Sequence, residues 1–165
     1  MSLRVDFVVA SPRWRGALPA RALAREAIGA ALKETGLRLA RGAEVSVHLV
    51  GDSDIQKLNA RYRGKDAPTN VLSFPAASPE RIAQAMLLGD ILIAFETVAR
   101  EAEIEGKTLP DHFRHLVIHG FLHLLGHDHI EDAEAEAMEA LEIRALARLG
   151  IPDPYAADKL TEAHS

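Results

Sequence analysis

Five histidines crowd the stretch HLVIHGFLHLLGHDH that runs from His115 to His129. On an α-helix, residues four apart stand about 6 Å apart along the axis on one face. His119 and His123 can therefore both reach one ion at about 2.1 Å from a ring nitrogen. Extending the series back to His115 puts that residue about 12 Å of rise from His123, too far for both to ligate the same ion. A third ligand must come from elsewhere. Gly126 suits the residue just past a helix end, because it tolerates the left-handed conformation that turns a chain back on itself. A side chain beyond that turn can fold over the pair.

His127, Asp128 and His129 are the candidates for that third place. The spacing H-x-x-x-H-x-x-G-x-x-H, shared with zinc metalloproteases that take a third histidine after a glycine turn, favours His129. The expected ligands are thus His119, His123 and His129, with His115, His127 and Asp128 around them in supporting roles. Zincin-type proteases carry their glutamate base directly after the first ligand, and this chain has Gly120 there. Glycine cannot take a proton. Three neutral imidazoles leave one position of a zinc ion open for water, whose pKa such an ion lowers to about 7. The pattern points to metal-assisted hydrolysis of a bond other than a peptide.

The rest of the chain must position these residues. At 165 residues and 48% hydrophobic content, it fits one domain, expected over residues 1–155 with a loose tail at 156–165. With no cysteine, thiolate zinc sites and disulfides are excluded, which agrees with a reducing compartment. No signal peptide or membrane span is visible, and the expected location is cytoplasmic. The net charge of −5 is unevenly spread: residues 1–65 hold 12 Lys and Arg against 6 Asp and Glu, whereas residues 66–165 hold 7 against 18. A basic N-terminal part can face a polyanion although the whole chain is acidic.

Leu3, Val5, Phe7 and Val9 alternate with Arg4, Asp6 and Val8 as in a strand with one buried face. Pro19 to Thr35, with Gly36 after it, predicts a helix. Val45, Val47 and Leu49 mark a second strand, which puts His48 on the opposite face and out of the ligand set. Ser53 to Gln56 resembles a capping box opening a short helix that ends at Gly64. Val71 to Phe74 and Leu88 to Ala94 read as further strands, Glu96 to Glu105 as a helix. Thr108 and Pro110 open the histidine helix. In the last helix, Met138, Leu141, Ala145 and Leu149 form the apolar face, while Glu131, Asp132, Glu134, Glu136, Glu139 and Glu142 are expected on the solvated one. The expected fold is α+β, with about four strands in a mixed sheet, about five helices and the metal site at the end of a central helix.

Three segments together, LNARYRGKDAPTNVLSFP from Leu58 to Pro75, LGDILI from Leu88, and the histidine stretch, carry a family resemblance. The chain resembles the bacterial YbeY endoribonucleases from about the first strand to Tyr155. The resemblance implies a metal-dependent, single-strand-specific endoribonuclease acting in ribosomal RNA processing, notably at the 3′ end of the small-subunit RNA, and in ribosome quality control. It implies one zinc ion held by His119, His123 and His129, and a functional arginine at Arg63. Single-stranded RNA, ribosomal RNA and the ribosome are the implied partners, a ribosomal protein a further candidate, and neither DNA nor membrane is expected. The family commonly has tyrosine at the position of His127 and often serine at that of Ala94. A guanidinium at Arg63 can hold two phosphate oxygens, and Lys65 can add a point charge. Tyr62 and Phe74 are aromatic enough to stack on a base, but both read first as core residues and receive no role. Two other functions compete: a metal-dependent hydrolase of peptides or small esters, which Gly120 counts against, and a non-catalytic, metal-stabilised ribosome-assembly factor.

Overall fold

Strand segments of alternating polarity and helices with one or more apolar faces condense here into a sheet flanked by helices, in a computed structural model that describes residues 3–127 and 131–156. Asp128 and His129, and the expected tail beyond Ala156, lie outside the described residues. Four strands and five helices are present among the described residues: β1 (Arg4–Val9), α1 (Ala20–Thr35), β2 (Glu44–Val50), α2 (Asp52–Arg63), β3 (Val71–Pro75), β4 (Leu87–Ala94), α3 (Phe95–Glu105), α4 (Leu109–Leu124) and α5 (Asp132–Arg148). Short 3-10 turns at Pro12–Trp14 and Pro79–Arg81 complete the list.

The sheet is mixed, in the order β1-β2-β4-β3. β1, β2 and β4 run parallel, with Val5 beside Val45 and Val47 beside Ile91, while β3 runs antiparallel to β4, with Ser73 beside Ile91. Because side chains alternate across a strand, Val45, Val47, Leu49, Ile91 and Ile93 meet α1, α4 and α5 in the main core. Val50, Leu72, Leu92 and Ala94 join Ile55 of α2 in a smaller cluster. No described helix is long and apolar enough to cross a membrane.

α4 is the central element. Thr108 Oγ1 accepts from the Asp111 N–H at 3.2 Å, Pro110 sits in the first turn, and Asp111 complements the positive helix end. Beyond that turn Phe113, Val117, Ile118, Phe121 and Leu122 are fully buried. Burial of each such side chain contributes about 1.5–3 kcal/mol, so α4 is held by packing on several sides rather than by helix propensity.

The start of α2 differs from the expectation. Ser53 is not the cap: the helix opens at Asp52 after Gly51, whose N–H donates to the Asp54 carboxylate at 3.3 Å. Asp52 is engaged across the fold instead, accepting from the Thr97 N–H at 3.0 Å and the Thr97 hydroxyl at 2.7 Å, while its own N–H donates to Glu96 at 3.3 Å. Each helix start thus supplies the other's missing acceptors, a partnership between distant residues that no local motif announces.

Candidate active site

The last turn of α4 is built to stop abruptly. The Gly126 N–H donates to His123 O and the His127 N–H to Leu122 O, both at 3.1 Å, with Gly126 at φ 101°. These two bonds make a Schellman ending, which satisfies carbonyls the helix would otherwise orphan. A Cβ at Gly126 would lie 2.8 Å from Cβ of Pro79, so the residue is glycine for room as well as for backbone conformation.

His119 and His123 stand one turn apart on the same face, their ring centroids 4.7 Å from one another. Among the described residues no group of three or more His, Asp or Glu side chains is arranged to hold a metal ion; the expected third ligand, His129, and its neighbour Asp128 lie outside them. His127 is half-buried on the same cleft wall, and burial pushes its imidazole below the ordinary 6.5. His48, expected to be no ligand, bonds Asp90 across the sheet at 2.9 Å.

The acidic last helix requires a correction. Glu142 was expected on the solvated face of α5, but it is fully buried against α4. Its Oε1 accepts from His119 Nδ1 at 2.5 Å, its Oε2 accepts from the Tyr155 hydroxyl at 2.6 Å, and His115 Nε2 stands 3.7 Å away. Tyr155 also reaches His115 at 3.3 Å. Burial alone raises the Glu142 carboxyl, but the imidazoles of His115 and His119 beside it outweigh that and hold it at about 2. Glu142 is therefore an anion at neutral pH. Burial and this anion together push the Tyr155 phenol up, so the hydroxyl stays a donor. Neither residue was singled out from the sequence. A signal existed: Glu142 falls on the stripe Met138, Glu142, Ala145, Leu149 at intervals of four, three and four, which is the buried face of a helix. With Nδ1 tied to a carboxylate, His119 has Nε2 as the nitrogen a cation would take.

His119, His123 and His127 line a cleft of about 880 Å³ together with Tyr62 and Arg63 from the end of α2, Asn70, and Ser73 and Phe74 of β3. The turn at Gly64 brings Arg63 to the same opening as the histidines, although 56 positions separate it from His119. Lys65 lies on the exposed turn that follows and is not part of the lining. Tyr62, read from the sequence as a core residue, is 58% exposed. Its ring meets Phe74 edge-on at 5.4 Å, and the Arg61 guanidinium lies over it at 5.3 Å.

Gly120 is explained by packing. A Cβ there would stand 2.8 Å from Ile91 Cγ2 and 3.1 Å from Ser73 Oγ, so the position faces the sheet, and the Ser73 hydroxyl donates to its carbonyl at 2.9 Å. A glutamate has no space there. Behind β3, the Asn70 amide donates to Glu101 at 3.0 Å, Glu101 bonds His112 at 2.9 Å, and Asn70 Oδ1 accepts from the Val71 N–H at 2.7 Å. Burial raises the Glu101 carboxyl, but His112 and Asn70 prevail and lower it on balance. This chain of bonds fixes the cleft wall on which Ser73 and Phe74 sit.

Residues 17–150 match the family model described as Endoribonuclease YbeY. Two proteins named endoribonuclease YbeY are similar over most of their length. One, from Methylocella silvestris, is 49% identical over 151 residues, covering 92% of this chain and 85% of that protein. The other, from Rhodopseudomonas palustris strain BisB18, is 50% identical over 154 residues, covering 92% and 91%. The solution structure of TM1509 from Thermotoga maritima aligns with a TM-score of 0.58 at 24% identity, over 99% of this chain and 95% of that one, and shares the fold. With a family model spanning residues 17–150 and relatives near half identity over 92% of its length, the chain belongs to the endoribonuclease YbeY family.

Proposed function

We propose that the protein is a zinc-dependent endoribonuclease that cuts single-stranded RNA, acting in the cytoplasm on the 3′ end of small-subunit ribosomal RNA and in ribosome quality control. The observation that carries the reading is one cleft lined by Arg63 and by a histidine pair, one member of which is braced by a buried carboxylate. His119, His123 and His129 would hold the ion, and residues 1–155 would form the single catalytic domain. The donors fit: nitrogen ligands one helical turn apart, with a carboxylate behind the first, are the pattern of a catalytic zinc centre, and nickel, copper or iron would also accept them.

A zinc ion bound there supplies Lewis acidity and lowers the pKa of a water molecule. The protein's own groups do the rest. Arg63 pairs with a non-bridging oxygen of the scissile phosphate and stabilises the charge that grows on it. Glu142 keeps the His119 proton on Nδ1 and makes the opposite nitrogen a better donor, and Tyr155 keeps Glu142 oriented. His127, its imidazole pushed down by burial, adds no positive charge beside the ligands at neutral pH. The nucleophile is a water molecule or a hydroxyl of the RNA itself.

The test is a structured RNA with single-stranded tails, incubated with RNase-free protein of measured metal content. The expectation is about one zinc per chain, cleavage confined to the tails, loss of cutting with EDTA and in His119→Ala and Arg63→Glu, and recovery on adding zinc to the chelated wild type. Cutting that survives both substitutions, or protein that cleaves a peptide panel and no RNA, overturns the proposal.

A further inference from the structure

The chain has five phenylalanines, two tyrosines and one tryptophan. Only Tyr62 is exposed; the others are buried or half-buried. A tyrosine left 58% exposed contributes little to packing for its size. Its position is also fixed. It stands on the last turn of α2, next to Arg63, is held edge-on by Phe74 of β3 at 5.4 Å, and is one of the side chains lining the cleft that contains His119 and His123.

We infer that Tyr62, backed by Phe74, is a stacking subsite for one unpaired nucleobase of the substrate, and that this subsite is the source of the cleft's selectivity for single strands. The inference rests on the RNA-cutting reading and adds a specificity element to it. A base in a duplex has both faces covered by its neighbours and its edge paired, so it cannot lie on a protein ring without being unstacked first. A base in a single strand can. Stacking is indifferent to base identity because every base has a π-face, which makes such a subsite a reader of strandedness rather than of sequence. Arg61, whose guanidinium lies over the Tyr62 ring at 5.3 Å, would leave that face to the incoming base and pair with the phosphate next to it. Arg63, one residue on, is then left to the scissile phosphate. One short turn of helix therefore presents, in sequence, a backbone cation, a base platform and a transition-state cation.

The experiment compares wild type with Tyr62→Ala, Tyr62→Leu and Tyr62→Phe, measuring binding by fluorescence anisotropy and cleavage of a short labelled RNA, either single-stranded or annealed to its complement. The RNA is supplied intact or with an abasic nucleotide moved one position at a time. Wild type and Tyr62→Phe should bind the intact single strand alike, whereas Tyr62→Ala and Tyr62→Leu should bind about tenfold more weakly, the order that one base stack contributes. Leucine keeps the bulk without the π-face, so it separates stacking from packing. An abasic nucleotide at one position should weaken wild type about as much and leave Tyr62→Ala unchanged, and weak binding to the duplex should be the same in all variants.

Equal binding by Tyr62→Ala and wild type, or an abasic profile identical in both, overturns the subsite while leaving the nuclease reading intact. A wild type that neither binds nor cuts the single strand overturns both. Should Tyr62→Ala melt at a lower temperature than wild type, the abasic profile of Tyr62→Leu against Tyr62→Phe decides the matter in its place.

Discussion

Glu142→Gln isolates the buried charge from its shape. The amide is isosteric and stays within reach of both His119 Nδ1 and the Tyr155 hydroxyl, so the substitution chiefly removes the anion. The carboxyl is held at about 2 against an ordinary 4.5, and at 1.36 kcal/mol per pH unit the ionised form therefore contributes about 3 kcal/mol over a neutral one in the same place. The sign follows from the direction: a depressed carboxyl stabilises the fold above its unfolded value and loses that contribution as pH falls through its folded value. In chelator-treated protein, urea denaturation near pH 5 should then show the variant less stable by about 3 kcal/mol. Less than half of it should remain near pH 3, since the two carboxyl values bracket that pH. Titrating groups that do not face Glu142 are common to both proteins and cancel. Zinc affinity should fall about 10–100-fold in the variant, the usual consequence of losing a carboxylate behind a ligating imidazole. A difference that is the same at pH 3 and pH 5, or one below about 0.5 kcal/mol at both, would refute the view that Glu142 is a native-state anion held by His119 and His115.

Arg63→Gln should lower kcat/KM on single-stranded RNA by about 10²–10³-fold, the size seen when a charge-stabilising donor is removed. Because Arg63 is exposed, its urea midpoint should barely move, within about 0.5 kcal/mol. Gly120→Ala adds a methyl 2.8 Å from Ile91 Cγ2, so despite better helix propensity it should destabilise by about 1–3 kcal/mol, read from the denaturation midpoint. Glu101 is also depressed below 4.5, so the stability it shares with His112 and Asn70 is present above that value and lost as pH falls below it. Glu101→Gln should accordingly cost most at neutral pH and least in acid, measured as paired melting curves.

The backbone elements were legible because each segment's periodicity matches its own burial. Alternation in β1 and β2, the threonine cap and the glycine stop of α4, and the apolar face of α5 are local properties of consecutive residues. His119 and His123 were legible for the same reason, since a single helix sets their distance. One boundary, the start of α2, was misread where the partner came from afar. Asp52 opens α2, and serves Thr97 of α3, through contacts spanning 45 positions.

Sequence alone thus determined the strand and helix periods, the paired imidazoles, the abrupt stop after them and, through its RGKDAPTN segment, the family to which the chain belongs. Only the tertiary structure decided what the buried Glu142 meets, because its partners His119, His115 and Tyr155 come from α4 and from the segment after α5. The same holds for Tyr62, whose helical spacing is that of a core residue but which, met by Phe74 of β3, stays 58% exposed. Arg63 and the histidines meet for a like reason: a cleft belongs to the packing of α2, β3 and α4 together, and no window of the chain contains all three.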